Sequence, residues 1–472
     1  MNNHPKSILR RAALAGALGT LLATPHALAA DPPNPDLTTL LERIKELEDK
    51  VKVLQPNREV DQEAVTDKAN TTPLVTLGGD GLVVKSADSN FVAFAHGYIQ
   101  VDGRFYPNQQ ETTKNTFLLR RVRPILEGTI YKNFDYRLML DFGSGNGNGS
   151  SAGNNALLDD AYVNARFFQD AQVQIGKFKS PIGLERLQST ADLTFVETGF
   201  ATQLTPNYDL GAMVHNDLFK SPVAYAVGVF NGATDAGSTD QEVADEGKDF
   251  VGRLFLQPFI HKDIEPLRKL GFGIAGSIGN HQGSLPSYKS AGQQTFFSYA
   301  SGVNAAGDQY RFDPQFFYYW GPFGIQGEYV VSSQKVQSTV AGTGPVRRFN
   351  NSAWQLEASY FLTGEDNTFK SSSLIRVAPL HPFAIGGGWG AFEIAARIQQ
   401  LSLDHDIFNK YAALNSAKEA TAWGVGLNWY LNRNIKLNLN YENTSFQDGS
   451  KTKGTVTSRD EHAILSQVQF AF

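Results

Sequence analysis

Arg104, Arg121, Arg123, Arg137, Arg166, Arg253 and Arg397 occupy polar positions of segments in which apolar and polar side chains alternate, so one face of those segments carries a series of guanidinium groups. Arginine stays charged under all ordinary conditions, and its planar fork matches two oxygens of a phosphate or carboxylate. A row of such donors suits weak, successive binding of oxyanions, each site replacing hydration water yet releasing the ion again. Asp102, Glu127, Asp135, Asp141 and Asp160 share the same faces, so structural ion pairing is an open alternative at this point. Arg120 lies where a long polar loop joins its strand, and alternation does not place it. Covalent chemistry finds little support. With no Cys there is no thiolate ligand and no cysteine nucleophile, and the nine His show no H-E-x-x-H spacing. No catalytic residue, metal site or cofactor is assigned.

Period-two segments must position these arginines. In 423–431, Trp423, Val425, Leu427, Trp429 and Leu431 alternate with Gly424, Gly426, Asn428 and Tyr430; in 434–442, Ile435, Leu437, Leu439 and Tyr441 alternate with Lys436, Asn438, Asn440 and Glu442. Phe134-Tyr136-Leu138-Leu140, Phe323-Ile325-Gly327-Tyr329, Trp354-Leu356-Ala358-Tyr360 and Phe392-Ile394-Ala396-Ile398 repeat the pattern. Alternation alone fits a soluble sandwich as well as a barrel in lipid. Turn lengths decide between them. Tight turns near 132–133, 169–170, 220–221, 321–322 and 432–433 interleave with long polar loops near 107–116, 144–156, 180–209, 231–247, 281–308, 334–350, 402–420 and 447–458. Short turns at one end and long loops at the other are the plan of an outer-membrane barrel. Two connections on the short side, 258–270 and 363–386, are longer than that plan prefers. Many strands run to ten residues or more, enough to cross a bilayer at a tilt. The chain ends on a strand with terminal Phe472.

The expectation is therefore an all-β fold, a transmembrane antiparallel β-barrel of about sixteen strands over 91–472, preceded by a short N-terminal coiled-coil helix. A lumen of that size is too wide for side chains to fill and holds water. The third long loop, 180–209, carries Phe195, Val196 and Phe200, apolar residues ill-suited to external water, and is expected to fold inward as a constriction.

The 472 residues hold 44 Gly, 32 Phe and 17 Tyr with only 19% charged residues and a net charge of −5, which speaks against a nucleic-acid partner. Beyond the N-terminus no apolar run is long enough for a membrane helix. Lys6, Arg10 and Arg11, the apolar stretch Ala12–Ala23 and the small-residue site Ala27-Leu28-Ala29 have the layout of a cleaved secretory signal, 1–29. In 30–56, Leu37, Leu40, Ile44, Leu47, Val51 and Leu54 form an a/d seam, ended by Pro56; so short a coil is marginal alone and suits chains already held together by something else. Residues 57–90 read as a polar linker with one small hairpin.

Several segments then carry a family resemblance. They include Leu119-Arg120-Arg121-Val122-Arg123-Pro124, Asn133-Phe134-Asp135-Tyr136-Arg137 and Asp159-Asp160-Ala161-Tyr162-Val163. Further along come Gln174-Ile175-Gly176-Lys177-Phe178-Lys179-Ser180-Pro181, Gly183-Leu184-Glu185-Arg186, Tyr360-Phe361-Leu362-Thr363-Gly364-Glu365, Gly387-Gly388-Trp389-Gly390-Ala391-Phe392-Glu393 and Gly426-Leu427-Asn428-Trp429-Tyr430. In order and spacing the chain resembles the phosphate-selective porins (porin O and P family) of Gram-negative outer membranes. The resemblance implies a sixteen-stranded trimeric barrel in outer-membrane lipid, an inward third loop and an arginine ladder for inorganic phosphate or other small anions. Carried residue by residue, the paired arginines of the second strand match Arg120 and Arg121, with Arg123 beside them. The third-loop cation matches Arg186, the eighth-strand arginine Arg253, and the acidic residue of the fourth strand Asp159. A fifth-strand arginine is replaced by Lys177, with Lys179 a further feeder. Tyr98 and Thr198 stand where the family has arginines, so phosphate preference is the part of the resemblance most open. A less selective or organic-anion porin of the same fold is the alternative.

Overall fold

The computed structural model describes residues 38–52 and 72–472, apart from 108–113, 144–156, 169, 218–219, 240–245, 340–343, 370–375 and 449–459. The chain divides into two units, Met1–Ala69 and Asn70–Phe472. In the first, residues 38–52 form a helix whose Leu40, Ile44, Leu47 and Val51 are all exposed. Leu37, Leu54, Pro56 and the whole signal-like segment lie outside the described residues.

The second unit opens with a hairpin, β1 (Leu74–Gly78) and β2 (Gly81–Lys85). Next come β3 (Phe91–Phe105), β4 (Thr116–Ile130), β5 (Phe134–Asp141), β6 (Leu157–Ala165), β7 (Gln172–Lys179), β8 (Tyr208–His215), β9 (Val223–Phe230), β10 (Asp249–Leu256) and β11 (Lys269–Gly283). A small hairpin follows, β12 (Ser287–Lys289) with β13 (Thr295–Ser298). The chain finishes with β14 (Val303–Trp320), β15 (Phe323–Ser338), β16 (Arg347–Phe361), β17 (Ala391–Ser402), β18 (Ala417–Tyr430), β19 (Ile435–Asp448) and β20 (Asp460–Ala471). β3–β11 and β14–β20 pair each with the next, antiparallel throughout, β11 meeting β14 directly. β20 returns to β3, Ile464 opposite Phe105 and Ala471 opposite Tyr98. That closes a barrel of sixteen strands. β2 occupies the edge of β3 beyond Phe472, pairing Leu82–Lys85 with Val92–Ala95, so this end of the seam is covered as well.

Closure satisfies the backbone, and the side chains then sort by parity. On β17, Ile394 and Ile398 are exposed while Glu393, Arg397 and Gln399 are buried. A solvated sandwich would bury the opposite set; lipid outside and a polar interior give this one. Short turns and long loops segregate to opposite ends as the sequence indicates. The three-residue β4–β5 turn is tight because Tyr131 and Lys132 both adopt left-handed backbone, φ 48° and 62°. The two longer short-side connections run 257–268 and 362–390.

At the long-loop end the barrel is packed from within. Phe200, Ala201 and Leu204 of a short 3-10 helix, together with Tyr288, Phe296 and Phe297 of the β12–β13 hairpin, meet Val330, Val336, Phe349 and Leu401 of the wall in one apolar cluster. Beside it Arg311 pairs Asp235 and Asp249 at 2.8 and 3.0 Å, and His281 joins Asp249 at 2.8 Å.

Parity predicts an asymmetric response on β17. Ile398→Arg should cost about 2–4 kcal/mol in folding into lipid vesicles, because it puts a charge on the outer face. Its inward neighbour is already an arginine. Denaturant titration in phosphatidylcholine vesicles checks this, and an unchanged midpoint would contradict the assigned faces.

Candidate functional site

Adjacent residues on a strand normally face opposite ways, yet Arg120 and Arg121 are both buried inside the barrel. The β3–β4 register explains it: Gln100 faces Arg121 and Val101 faces Leu119, leaving Arg120 as the extra residue of a β-bulge. β6 repeats the device. Met139 faces Asp160 and Leu140 faces Leu158, so the bulged Asp159 turns inward beside Asp160. Two one-residue bulges thus bring a basic pair and an acidic pair to the same lumen.

Loop L3 (180–207) lies across that lumen, with Ile182, Leu184, Phe195, Val196 and Phe200 each at most 2% exposed. It follows the wall because inward-facing side chains accept from its backbone. Asp313 takes Gly183 N at 2.8 Å, Glu328 takes Leu184 N at 2.6 Å, Asn440 takes Val196 N and Gln399 takes Phe200 N, both at 2.7 Å. Lys436 donates to the carbonyls of Ala191 and Leu193, both at 3.0 Å. The strongest tether is Glu197. Its carboxylate accepts from Arg120 Nε and Nη2 at 2.7 and 3.0 Å and from Arg104 Nη2 at 2.7 Å. Arg397 donates to the Glu197 carbonyl at 2.9 Å and binds Glu442 at 2.7 Å. Burial pushes the Glu197 carboxyl up, but Arg120 and Arg104 outweigh it and hold it at about 2.

The expected site residues separate into two electrostatic classes. Arg120 is neutralised by Glu197, and Arg123 by Asp141 at 2.8 Å and Asp159 at 2.7 Å. Arg137, likewise, binds Glu127 and Asp160. By contrast Arg121 donates to neutral Gln100 at 2.8 Å, and Arg186 to Thr205 Oγ1 and the Thr202 carbonyl. Lys179 donates to the Gln188 carbonyl at 2.6 Å, and Arg253 to Gln315 at 3.2–3.3 Å. Among the described residues, none of these four is ion-paired to a carboxylate. Burial pulls the Arg186 guanidinium down to about 10, leaving it cationic at neutral pH. Tyr98 hydrogen-bonds Thr190 of L3 at 2.6 Å and accepts from Arg123 at 3.0 Å, so it braces a cation rather than adding one. Thr198 accepts a local bond from Thr202, the only one it makes among the described residues.

A cavity of about 590 Å³ remains between L3 and β3–β10, running from His215, Asp217 and Lys220 at the short-turn end up to Tyr98 and Thr190. Arg123, Lys179 and Arg253 border it; Arg120, Arg121, Arg186 and Asp159 do not. Lys177 is buried, in register with Leu210, and does not border this cavity, although Lys179 two residues on does. Arg166 stands beyond the end of β6, half-exposed and paired to Asp135, not in the lumen as its parity suggests. Alternation misses Glu197, although an isolated glutamate in an apolar loop facing a basic pair is the readable sign of a tether. The adjacent like charges 120–121 and 159–160 are themselves the sign of bulges.

A family model described as "Phosphate-selective porin O and P" matches residues 95–472. Porin O of Pseudomonas aeruginosa is 24% identical over 453 residues, covering 87% of this chain and 96% of that protein. Two solved barrels are similar in fold. Salmonella typhi OmpF in complex with daunomycin has a TM-score of 0.52 at 10% identity, covering 81% of this chain and 98% of its own. Outer-membrane expressed OmpT of Vibrio cholerae has 0.50 at 9%, covering 83% and 100%.

Replacing Glu197 with Gln leaves Arg120 without a carboxylate and should cost about 1–3 kcal/mol, seen as a lower unfolding temperature on heat-modifiability gels. A depressed carboxyl stabilises above its unfolded value, and that contribution is lost as pH falls through about 2. The variant should therefore differ from the parent across pH 5–8, by about the same amount throughout, and converge with it near pH 2. A gap that closes already at pH 5 would contradict the clamp.

Proposed function

The chain belongs to the phosphate-selective porin O and P family, and on that footing we propose that it is a passive outer-membrane channel for anions, with phosphate or polyphosphate as the preferred cargo. One observation carries the reading: Arg121, Arg186, Lys179 and Arg253 are basic groups inside the barrel with no carboxylate ion-paired to them among the described residues, and Lys179 and Arg253 border the cavity. Guanidinium forks stripped of counter-charge can take oxyanion oxygens pairwise. Arg120 and Arg123 shape the field around them, and Asp159, holding Arg123, tempers attraction so that a bound anion leaves. Lys177 and Lys179 are the remaining basic members, Lys179 on the passage side. No bond is made or broken, so the reading assigns no catalytic residue.

A second reading, a less selective porin for organic anions, draws on Tyr98. The hydroxyl there takes a hydrogen bond from Arg123 where the family's pattern has a further cation. The exposed Leu40, Ile44, Leu47 and Val51 support a trimer joined by the N-terminal helices.

In planar bilayers under a salt gradient the reversal potential should favour anions, and added phosphate should depress the chloride current. Arg121→Ala should raise the half-blocking phosphate concentration about tenfold, the loss of one charged hydrogen bond. A cation-favouring potential contradicts the channel reading, and unchanged block contradicts the role of Arg121. Anion selectivity without phosphate block supports the second reading. Leu40→Glu with Leu47→Glu should lower the temperature at which trimers dissociate on gels; an unchanged temperature would show that the helix seam adds nothing to them.

A further inference from the structure

We propose that the cavity beneath L3 is a binding station for aromatic anions, aryl carboxylates and aryl phosphates; the proposal rests on the anion-channel reading and names a ligand class for one part of it. Its volume, about 590 Å³, falls within the range of small-molecule sites and far exceeds the needs of a bare phosphate. Its wall is unusual for a passage meant only for inorganic ions. Seven aromatic side chains line it, among them Tyr162, Phe178, Tyr208 and Phe255. A hydrated inorganic anion gains nothing from such a surface. An aryl ring gains burial and edge or offset stacking.

The charges on the same wall mostly cancel. Arg123 and Arg137 are held by carboxylates and Lys220 by Asp217. Lys179 and Arg253 are left, and each is already oriented by a ring. The Arg253 guanidinium lies 5.0 Å from the Phe255 centroid, and the Lys179 ammonium 5.8 Å from that of Tyr208. Arg253 uses Nε and Nη2 on one oxygen of Gln315, which leaves Nη1 open. Lys179 spends one N–H on the Gln188 carbonyl. The Tyr162 hydroxyl, also on the wall, makes no hydrogen bond to a described residue. Unspent cationic donors beside an aromatic floor match a ligand with an anionic head and a flat apolar body.

The test is block of chloride current through the full chain in planar bilayers, using paired probes of equal charge: phenyl phosphate against methyl phosphate, and benzoate against acetate. Each aryl probe should half-block at about tenfold lower concentration than its alkyl partner. Tyr162→Leu should shrink that ratio to about threefold or less while leaving block by inorganic phosphate unchanged, and Tyr162→Phe should retain it. Equal block by aryl and alkyl probes in an anion-selective channel overturns the station alone. A cation-favouring reversal potential overturns the channel reading beneath it. The wild-type ratio decides the proposal even where Tyr162→Leu does not insert.

Discussion

Hydrocarbon offers no partner for a peptide group, and the rest of this structure follows from meeting that constraint with strands closed into a ring. Closure from β20 to β3 leaves each strand two paired edges, and β2 extends the cover past the C-terminal residue. Once the backbone is satisfied, the pleat fixes which side chains meet lipid and which meet water. The inner face must then be polar yet still hold a shape. Ion pairs and amide contacts, rather than an apolar core, do most of that work between L3 and the wall.

L3 shows how charge and burial cooperate in a wet interior. Its apolar side chains would be exposed if it projected outward; inside, they pack against one another and the wall while its N–H groups find Asp313, Glu328, Asn440 and Gln399. Glu197 joins the loop to β3 and β4 through two arginines, and Arg397 of β17 holds the same residue by its carbonyl. The clamp spends cations on structure. Attraction for a passing ion therefore depends on the basic groups that the clamp and the acidic residues of β5 and β6 leave unmatched.

Much of this was legible from residue order. Strand number and the parity of Arg104, Arg121, Arg123, Arg137 and Arg397 follow from period-two alternation, the segregation of short and long connections from turn lengths, and the inward third loop from its apolar residues Phe195, Val196 and Phe200. What alternation could not supply is anything that breaks it. Arg120 was unplaced because a bulge adds a residue without changing composition. Lys177 carried the chemistry of a lining residue, but of the two β7 lysines the cavity takes only Lys179. Which arginines are neutralised depends on contacts between residues far apart in the chain, such as Arg120 with Glu197 and Arg397 with Glu442. The aromatic cavity is assembled from six strands contributing one ring each and from Phe369 of the β16–β17 connection, so no local motif announces it.

The paired bulges on β4 and β6 uncouple the inside of the wall from its outside. Because the extra residue sits out of the ladder, deleting Arg120 alone would remove a positive charge from the interior and leave every lipid-facing neighbour in phase; deleting Asp159 would do the same for a negative one. Insertions and deletions are usually ruinous in a spanning strand, since they invert everything downstream. At these two positions they become a means of retuning the electrostatics without disturbing how the protein sits in its membrane.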